Sequence, residues 1–291
     1  MHAFSKCLLL LAGLALLSPC SASSQSTLEK VRALNLKSLD GPIKTCYPQG
    51  YRHRAEANAK LLGQSTGFFE EQFGVSQPFS IALIDSARWV TLTPIPYGLP
   101  FVSGPPYVVC LPADSKNILS NTLAEAIEGY DLDQQFAMSN EELVNLYVSL
   151  IGFHELGHIY ASAYGMSFPN RWTYEFAATY FAYCYLDRHH PKERDMWVET
   201  SRTLAKELDA RHTSLEDFER LYVKVGVENY AWYQVAFLLQ VDQVHQERGV
   251  TFLNELKNHP WHSSSASHYL SDMEQMGPGF TDWAQQYRLQ E

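Results

Sequence analysis

The sequence lacks the features of several protein classes. After residue 22, no stretch approaches the roughly 18 consecutive apolar residues that a transmembrane helix needs. No Cys-x-x-Cys pair occurs, which excludes a zinc site built on cysteine pairs. Basic residues are few, with 22 Lys and Arg against 32 Asp and Glu, and no basic run interrupts this excess. The net charge of −10 argues against nucleic acid and anionic membranes as partners.

The first 22 residues have the pattern of an export signal. Residues 1–6 carry one firm positive charge on Lys6, residues 7–17 are an unbroken apolar run, and residues 18–24 are small and polar. This order of segments is that of a secretory signal peptide, and the apolar run is too short to span a bilayer. We therefore predict a signal peptide over residues 1–22 and a secreted or periplasmic protein. Its removal takes away Lys6 and changes the net charge from −10 to −11.

A lipid anchor on Cys20 is the alternative fate of this segment. The stretch Leu17-Ser18-Pro19-Cys20 stands where a bacterial lipoprotein carries its acylation motif. Pro19 occupies a place at which Gly or Ala is normally required. We therefore favour cleavage near Ala22 over a lipoprotein.

Three of the five cysteines lie beyond the signal segment. In an oxidising compartment, one disulfide and one free thiol is the natural division among them. Cys46 and Cys110 both lie in loop or strand context with nearby Pro and Gly, whereas Cys184 lies in a strongly apolar helix. We predict a Cys46–Cys110 disulfide and a buried thiol at Cys184.

The front part of the chain mixes helix and strand signals. Apolar spacing predicts a helix over residues 54–73, and a β-rich run predicts a strand over residues 79–84. The stretch 91–112 is rich in proline, which excludes a central strand but tolerates an edge strand or a rigid loop. Residues 107–111 are the best strand candidate within it.

The back part is mostly helical from Ser120 onward. Hydrophobic residues make up 46% of the sequence, which is enough to bury a full core. We predict an α+β fold that forms one catalytic unit. It comprises an N-terminal α/β subdomain over residues 23–138, with a small mixed sheet, and a helical subdomain over residues 139–291.

The segment His154-Glu155-Leu156-Gly157-His158 carries the strongest functional signal. On a helix, residues four apart differ by only about 40° around the axis, so both imidazoles project from one face. That arrangement supplies two ligands of a tetrahedral Zn²⁺ ion. Glu155 lies about 100° round the helix from His154, where its carboxylate can take a proton from a zinc-bound water. The segment predicts a zinc site with Glu155 as the general base.

The surrounding sequence predicts a helix over residues 140–164. Ser139 followed by Glu142 is a capping box at its start, and Gly165 supplies a stop at its end. The second half of this helix is largely apolar. We therefore expect it to lie at the centre of the fold.

Glu175 is the predicted third zinc ligand. A catalytic zinc site takes three protein ligands and leaves one position open. Ala161 and Tyr164 stand where a metzincin carries Gly and His, which excludes that class. Glu175 is the only carboxylate between His158 and Asp187.

The neighbours of Glu175 favour a ligand over the alternative of a surface ion pair. The small residues Ala178, Thr179 and Ala182 follow on its side of the helix and allow a close approach to the histidine helix. The nearest cation on that face is Arg171, and the segment is otherwise aromatic and rich in alanine. A metal offsets the cost of burying such a carboxylate.

The HELGH segment, followed by Glu175 in a Glu-x-x-Ala helix, resembles the gluzincin branch of the zincin metallopeptidases. The resemblance implies a zincin-like fold with an active-site helix, and one Zn²⁺ held by His154, His158 and Glu175. It implies Glu155 as the general base. It also implies an edge strand above the active-site helix that pairs with extended substrate, for which residues 107–111 are the candidate.

The stretch 228–234 is similar to the downstream helix of aminopeptidase-like gluzincins, in which a Tyr stabilises the oxyanion. By that resemblance Tyr230 takes the role. Tyr233 stands where a Gly is usual, lies on nearly the same face, and is the alternative. Packing in the core is the competing interpretation of both side chains.

The sequence therefore predicts an exported zinc metallopeptidase that acts on a peptide or protein substrate. Two alternatives stay open: a binding or scaffolding protein that keeps the zinc site without turnover, and a zinc hydrolase that acts on another bond. No Gly-x-Met-Glu-Asn segment for binding an amino terminus is present, which favours an endopeptidase or an orphan specificity and leaves aminopeptidase action open.

Overall fold

The computed structural model describes residues 26–261 and 266–290. The predicted signal peptide and Cys20 lie outside the described residues. The described part has an α+β fold, with one small mixed sheet in its front half and helices from Ile118 onward. None of the helices in these ranges is long and apolar enough to cross a membrane.

The sheet of the described residues has five strands in the order β1-β2-β3-β5-β4. Their bounds are β1 (Lys37–Leu39), β2 (Thr45–Tyr47), β3 (Phe79–Ile84), β4 (Phe101–Ser103) and β5 (Tyr107–Pro112). The three inner strands β2, β3 and β5 run parallel. The short strands β1 and β4 close the two edges in antiparallel pairing. The predicted small mixed sheet is therefore confirmed.

The prediction that residues 107–111 form an edge strand is wrong. This segment belongs to β5, which has β3 on one side and β4 on the other. Pro105 and Pro106, which suggested an edge position, lie in the turn between β4 and β5. The strand itself keeps its N–H groups for both neighbours, because no proline interrupts it before Pro112. The edge strand on this side of the sheet is β4.

Cys46 and Cys110 do not form the predicted disulfide, and both are free thiols. They lie on β2 and β5, each in register with Ala82 of β3 between them. Two strand spacings separate their Cα atoms by roughly 9.5 Å, whereas a disulfide needs Cα atoms within about 7 Å. Sequence context indicated a loop or a strand for both residues, but not the third strand between them. Cys184 is a buried free thiol, which confirms its prediction.

The helices of the described residues account for most of the fold. In chain order they are α1 (Thr27–Ala33), α2 (Arg52–Gly63), α3 (Ser65–Phe73), α4 (Ser86–Leu92), α5 (Ile118–Ala126), α6 (Leu132–Phe136), α7 (Asn140–Ala163), α8 (Arg171–His189), α9 (Pro191–Glu207), α10 (Leu215–Leu221), α11 (Val227–Arg248), α12 (Thr251–Asn258), α13 (Ala266–Met276) and α14 (Phe280–Gln286). A 3-10 helix, Tyr222–Val225, links α10 to α11.

The helix predicted over residues 54–73 is divided into α2 and α3 at Gln64. At this point the Ser65 hydroxyl donates to the backbone carbonyl of Leu62 over 2.7 Å. A side-chain hydroxyl that takes a backbone carbonyl in this way competes with the regular hydrogen bonds of the helix. The apolar spacing continues across the division, which is why the sequence predicts a single helix here.

The helix predicted over residues 140–164 is confirmed as α7. Its capping box is complete, since the Ser139 N–H donates to Oε2 of Glu142 over 2.8 Å and the Glu142 N–H donates to Oγ of Ser139 over 3.3 Å. Every residue from Gly152 to Ala161 is buried. This central helix packs against α8 and against β4 and β5.

Candidate metal centre

The structure brings His154, His158 and Glu175 together between α7 and α8. Nε2 of His154 lies 3.0 Å from Oε2 of Glu175 and 3.1 Å from Nε2 of His158. Nε2 of His158 lies 3.6 Å from the same carboxylate oxygen. All three side chains are buried, and their ligand atoms lie within 4.8 Å of one another. Within residues 26–261 and 266–290, no other such group of His, Cys, Asp and Glu is close enough to hold a metal ion.

Thr179 fixes the orientation of the His154 ring. Its hydroxyl donates to the backbone carbonyl of Glu175 over 3.1 Å, so its lone pairs face Nδ1 of His154 at 2.9 Å. This geometry favours the tautomer in which Nδ1 donates to Thr179 and Nε2 has a free lone pair that points at Glu175 and His158. A hydrogen bond to the far ring nitrogen is the usual device that orients a metal-binding histidine.

The His158 ring is held differently, by stacking. It lies against the Tyr174 ring, with centroids 4.6 Å apart and planes inclined by 32°. Its Nδ1 is buried and has no hydrogen-bond partner among the described residues. Packing rather than hydrogen bonding therefore directs its Nε2 toward His154.

Glu175 receives hydrogen bonds from a distant part of the chain. The Tyr222 hydroxyl donates to Oε1 over 2.7 Å. Gln234 donates to Oε2 from Nε2 over 2.8 Å, and the Tyr230 hydroxyl donates to the same oxygen over 3.3 Å. These donors come from the 3-10 helix and from α11, so both elements contribute to the position of the carboxylate.

The donor set fits a divalent metal ion. Nε2 of His154 and Oε2 of Glu175 lie 3.0 Å apart, and a cation among the three side chains would interact favourably with both atoms. Glu175 is only 2% exposed, and a carboxylate buried to this degree needs a positive partner. A metal ion held here takes Nε2 of His154, Nε2 of His158 and Oε2 of Glu175.

Glu155 lies beside these three residues without being one of them. Burial raises the pKa of Glu155 to about 7, while His154 and the Val102 N–H oppose the rise and the Glu175 charge adds to it. The Val102 N–H belongs to β4, so the edge strand and this carboxylate lie next to each other. A carboxyl with a pKa near neutrality can accept and release a proton, as general acid–base catalysis requires.

Two pockets meet at Glu155. One is an open cleft along β4 that contacts both His158 and Glu175. The other is more enclosed and has a largely apolar lining that includes Leu119, Leu123, Ile151, Trp197, Val235 and Leu238. The residues that line both pockets are Leu99, Pro100, Glu155 and Tyr230. An extended ligand bound in the cleft could therefore place an apolar side chain in the second pocket, beside Glu155.

The two tyrosines proposed from the resemblance have different surroundings. Tyr230 lies at the site, with its hydroxyl on Glu175 and its side chain in both pockets. Tyr233 is not brought to the site, because its hydroxyl donates to the Ser214 carbonyl over 2.7 Å and its ring packs against Phe218. The packing interpretation therefore applies to Tyr233.

Sequence reasoning missed three residues that contact the ligands. Thr179 was recognised only as a small residue, although its position four after Glu175 on the same helix already placed it on the ligand face. Gln234 follows Tyr230 by four residues on α11, so it was reachable by the same spacing. Tyr222 lies in a 3-10 helix and gave no periodic signal.

Comparison of the chain with protein-family models, with curated proteins and with solved structures finds no match. The likeness to gluzincins therefore depends on the motif residues and on the arrangement of the buried His154, His158 and Glu175 group. That arrangement establishes a candidate metal site, and the reaction it serves is argued below.

Proposed function

We propose that the chain is an exported zinc metallopeptidase with a zincin-like fold that hydrolyses peptide bonds. The observation that carries the proposal is the buried group of His154, His158 and Glu175, with Glu155 next to it at the junction of two pockets. Two imidazoles and one carboxylate are the ligands that catalytic zinc takes in a known class of peptidase. Export rests on the signal pattern of residues 1–22.

The chain's own residues supply the remaining chemistry. Bound zinc provides a Lewis acid beside Glu155. The Glu155 carboxylate accepts the proton of the attacking water and returns it to the leaving amine. Tyr230 lines the same junction, and its hydroxyl, which donates to Glu175 over a long 3.3 Å, can turn to donate instead to the oxygen that becomes negative as the carbonyl is attacked. Glu155 thus transfers the proton, and Tyr230 stabilises the negative oxygen.

The surroundings of the site support an extended peptide as the substrate. Phe101 and Val102 of β4 line the cleft, and among the described residues β4 pairs only with β5, which makes it an edge strand. An edge of this kind can accept a further strand through its backbone groups. The adjoining apolar pocket then receives one side chain of that strand, so we propose substrates with a large apolar residue next to the cleaved bond.

The test is hydrolysis of a peptide library by the zinc-loaded chain and by Glu155→Gln. The proposal expects the wild type to cleave, and the variant to keep its zinc and lose at least about a hundredfold in rate, which is the contribution of a general base. Glu141→Gln is the matched control, because Glu141 is exposed in the first turn of the same helix. Zinc binding without any cleavage that depends on Glu155 would favour a binding protein. Cleavage of esters alone would favour another hydrolase.

A further inference from the structure

The segment of residues 215–225, which comprises α10 and the 3-10 helix and is called the strap below, is fastened to the first turn of α8. The Glu219 carboxylate accepts the backbone N–H of Arg171 over 2.8 and 2.9 Å and that of Trp172 over 2.8 Å. In return, Nη1 of Arg171 donates to the Glu219 carbonyl over 2.8 Å. A carboxylate at a helix N-terminus satisfies N–H groups that have no partner within the helix. The strap is thus fixed one turn before Glu175.

Tyr222, three residues after Glu219 in the strap, has an unusual backbone conformation. Its φ of +51° and ψ of −128° lie in a region that residues with a side chain adopt only when their surroundings hold them there. The Arg171 guanidinium lies over its ring, 5.1 Å from the centroid. The ring also meets the Tyr230 ring edge to face, with centroids 5.7 Å apart. These contacts aim the hydroxyl at Glu175.

The hydrogen bond from Tyr222 holds Oε1 of Glu175, while Oε2, which Gln234 and Tyr230 also contact, faces the two histidines. It occupies Oε1 at 2.7 Å, and Oε2 is the oxygen that lies 3.0 Å from His154 and 3.6 Å from His158. Without this bond, Oε1 has no donor among the described residues, and only the bonds from Gln234 and Tyr230 to Oε2 restrain the carboxylate.

We propose that Tyr222 is a positioning residue for the metal, which acts through Glu175 and is itself held by the strap. The proposal rests on the metal centre proposed above and adds a role for a segment that the motif does not include. Backbone strain at position 222 is consistent with this role, because strain of this kind persists at sites where it places a functional group. The proposal predicts that the phenolic oxygen, and not the ring, is what the metal site requires.

The experiment compares zinc affinity in Tyr222→Phe and Tyr164→Phe by competition with a chromophoric chelator. Tyr164 is the control because it follows the last residue of α7, the helix of the two histidines, and its hydroxyl donates to Oδ1 of Asn254 over 3.3 Å, away from the metal ligands. We expect Tyr222→Phe to weaken zinc binding about 10- to 100-fold, as loss of an outer hydrogen bond does in other metal sites. We expect Tyr164→Phe to bind like the wild type, and both metal-free variants to keep the circular dichroism spectrum of the folded wild type.

Three distinguishable results would contradict either the role of Tyr222 or the proposed function on which it rests. If Tyr222→Phe binds zinc with wild-type affinity, the proposed role of Tyr222 is wrong, but the proposed metal centre is not contradicted. Equal losses in both tyrosine variants overturn it too, because the effect is then not specific to the carboxylate. A wild-type chain that binds no zinc overturns the proposed function itself.

Discussion

Gly157 of α7 lies directly against the backbone of Ala178 in α8. A Cβ at position 157 would fall 2.1 Å from the Ala178 carbonyl oxygen, which is closer than any real Cβ contact. The two helices therefore meet backbone to backbone at this point, one residue before His158 and three after Glu175. The close approach that brings the carboxylate to the histidines depends on a glycine inside the metal motif itself.

The first prediction concerns this contact. Gly157→Ala should push α8 away from α7 and lower the free energy of unfolding by about 1–3 kcal/mol, the usual cost of overpacking a core. It should also weaken zinc binding, because Glu175 moves with α8. Gly67→Ala is the control, since Gly67 lies on α3 with no atom within 4 Å of an added Cβ. That change should stabilise the chain by up to about 1 kcal/mol through helix propensity.

Urea unfolding of the metal-free variants and chelator competition measure these two effects. If the Gly157→Ala variant is as stable as the wild type, the close contact between Gly157 and the Ala178 backbone is contradicted. Loss of stability with wild-type zinc affinity would contradict the link between helix spacing and the metal site.

The second prediction concerns Thr179 and His154. Thr179→Val removes the hydroxyl that accepts the Nδ1 proton, and so leaves a buried donor without a partner. Zinc affinity should fall about 10- to 100-fold, and the tautomer of His154 should become mixed. Thr179→Ser restores the hydroxyl and should restore both properties. Nitrogen NMR of the imidazole together with chelator competition measures them, and wild-type affinity in the valine variant would contradict the role.

The third prediction concerns the apolar pocket. Ala231 is 8% exposed on α11 and lines this pocket, so Ala231→Leu should partly fill it. Cleavage of peptides with a large apolar residue beside the cleaved bond should fall by about 10-fold or more, since differences of this size are typical of a hydrophobic pocket. Peptides with a small residue there serve as the control within the same variant. Equal losses on both peptide sets would contradict the assignment of the pocket to substrate specificity.

The fourth prediction concerns stability at low pH. Asp114 accepts hydrogen bonds from the hydroxyls of Tyr51 and Tyr97. Burial raises the pKa of Asp114, but these two bonds, a backbone N–H at Ser86 and the Arg54 charge outweigh it and hold the pKa below its usual value. A depressed pKa in the folded state stabilises the fold above the unfolded-state pKa of about 3.9, and this stability is lost as pH falls through the folded value.

Asp114→Asn removes this titration. At neutral pH the variant should be less stable than the wild type, and the difference should shrink below about pH 4. Thermal unfolding across that pH range measures it. A difference that stays constant with pH would contradict the depressed pKa.

Local signals explain the parts of the fold that the sequence predicted correctly. The capping box of Ser139 and Glu142 and the stop at Gly165 bound a helix that depends only on neighbouring residues. Pairing between strands is a property of distant segments. The edge position of β4 depends on how Phe101–Ser103 folds back beside β5, and the free thiol of Cys46 depends on β3 lying between two cysteines.

The same distinction applies to the site. The two histidines and Glu155 follow from helical spacing, and Glu175 follows from being the one carboxylate near them in the chain. Tyr222 lies 47 residues from Glu175 in a 3-10 helix, so no periodic pattern connects the two. Tyr233 was placed near the site by helical position alone, and the close packing of Phe218 instead holds it in the core.

The zinc content of the purified chain tests the central claim most directly. After equilibration with Zn²⁺ and gel filtration, mass spectrometry of the metal should find about one zinc ion per wild-type chain. His158→Ala and Glu175→Ala should lose it, whereas His53→Ala, at an exposed position on α2, should keep it. A wild-type chain without zinc, or a His158→Ala chain that retains it in full, would contradict the account.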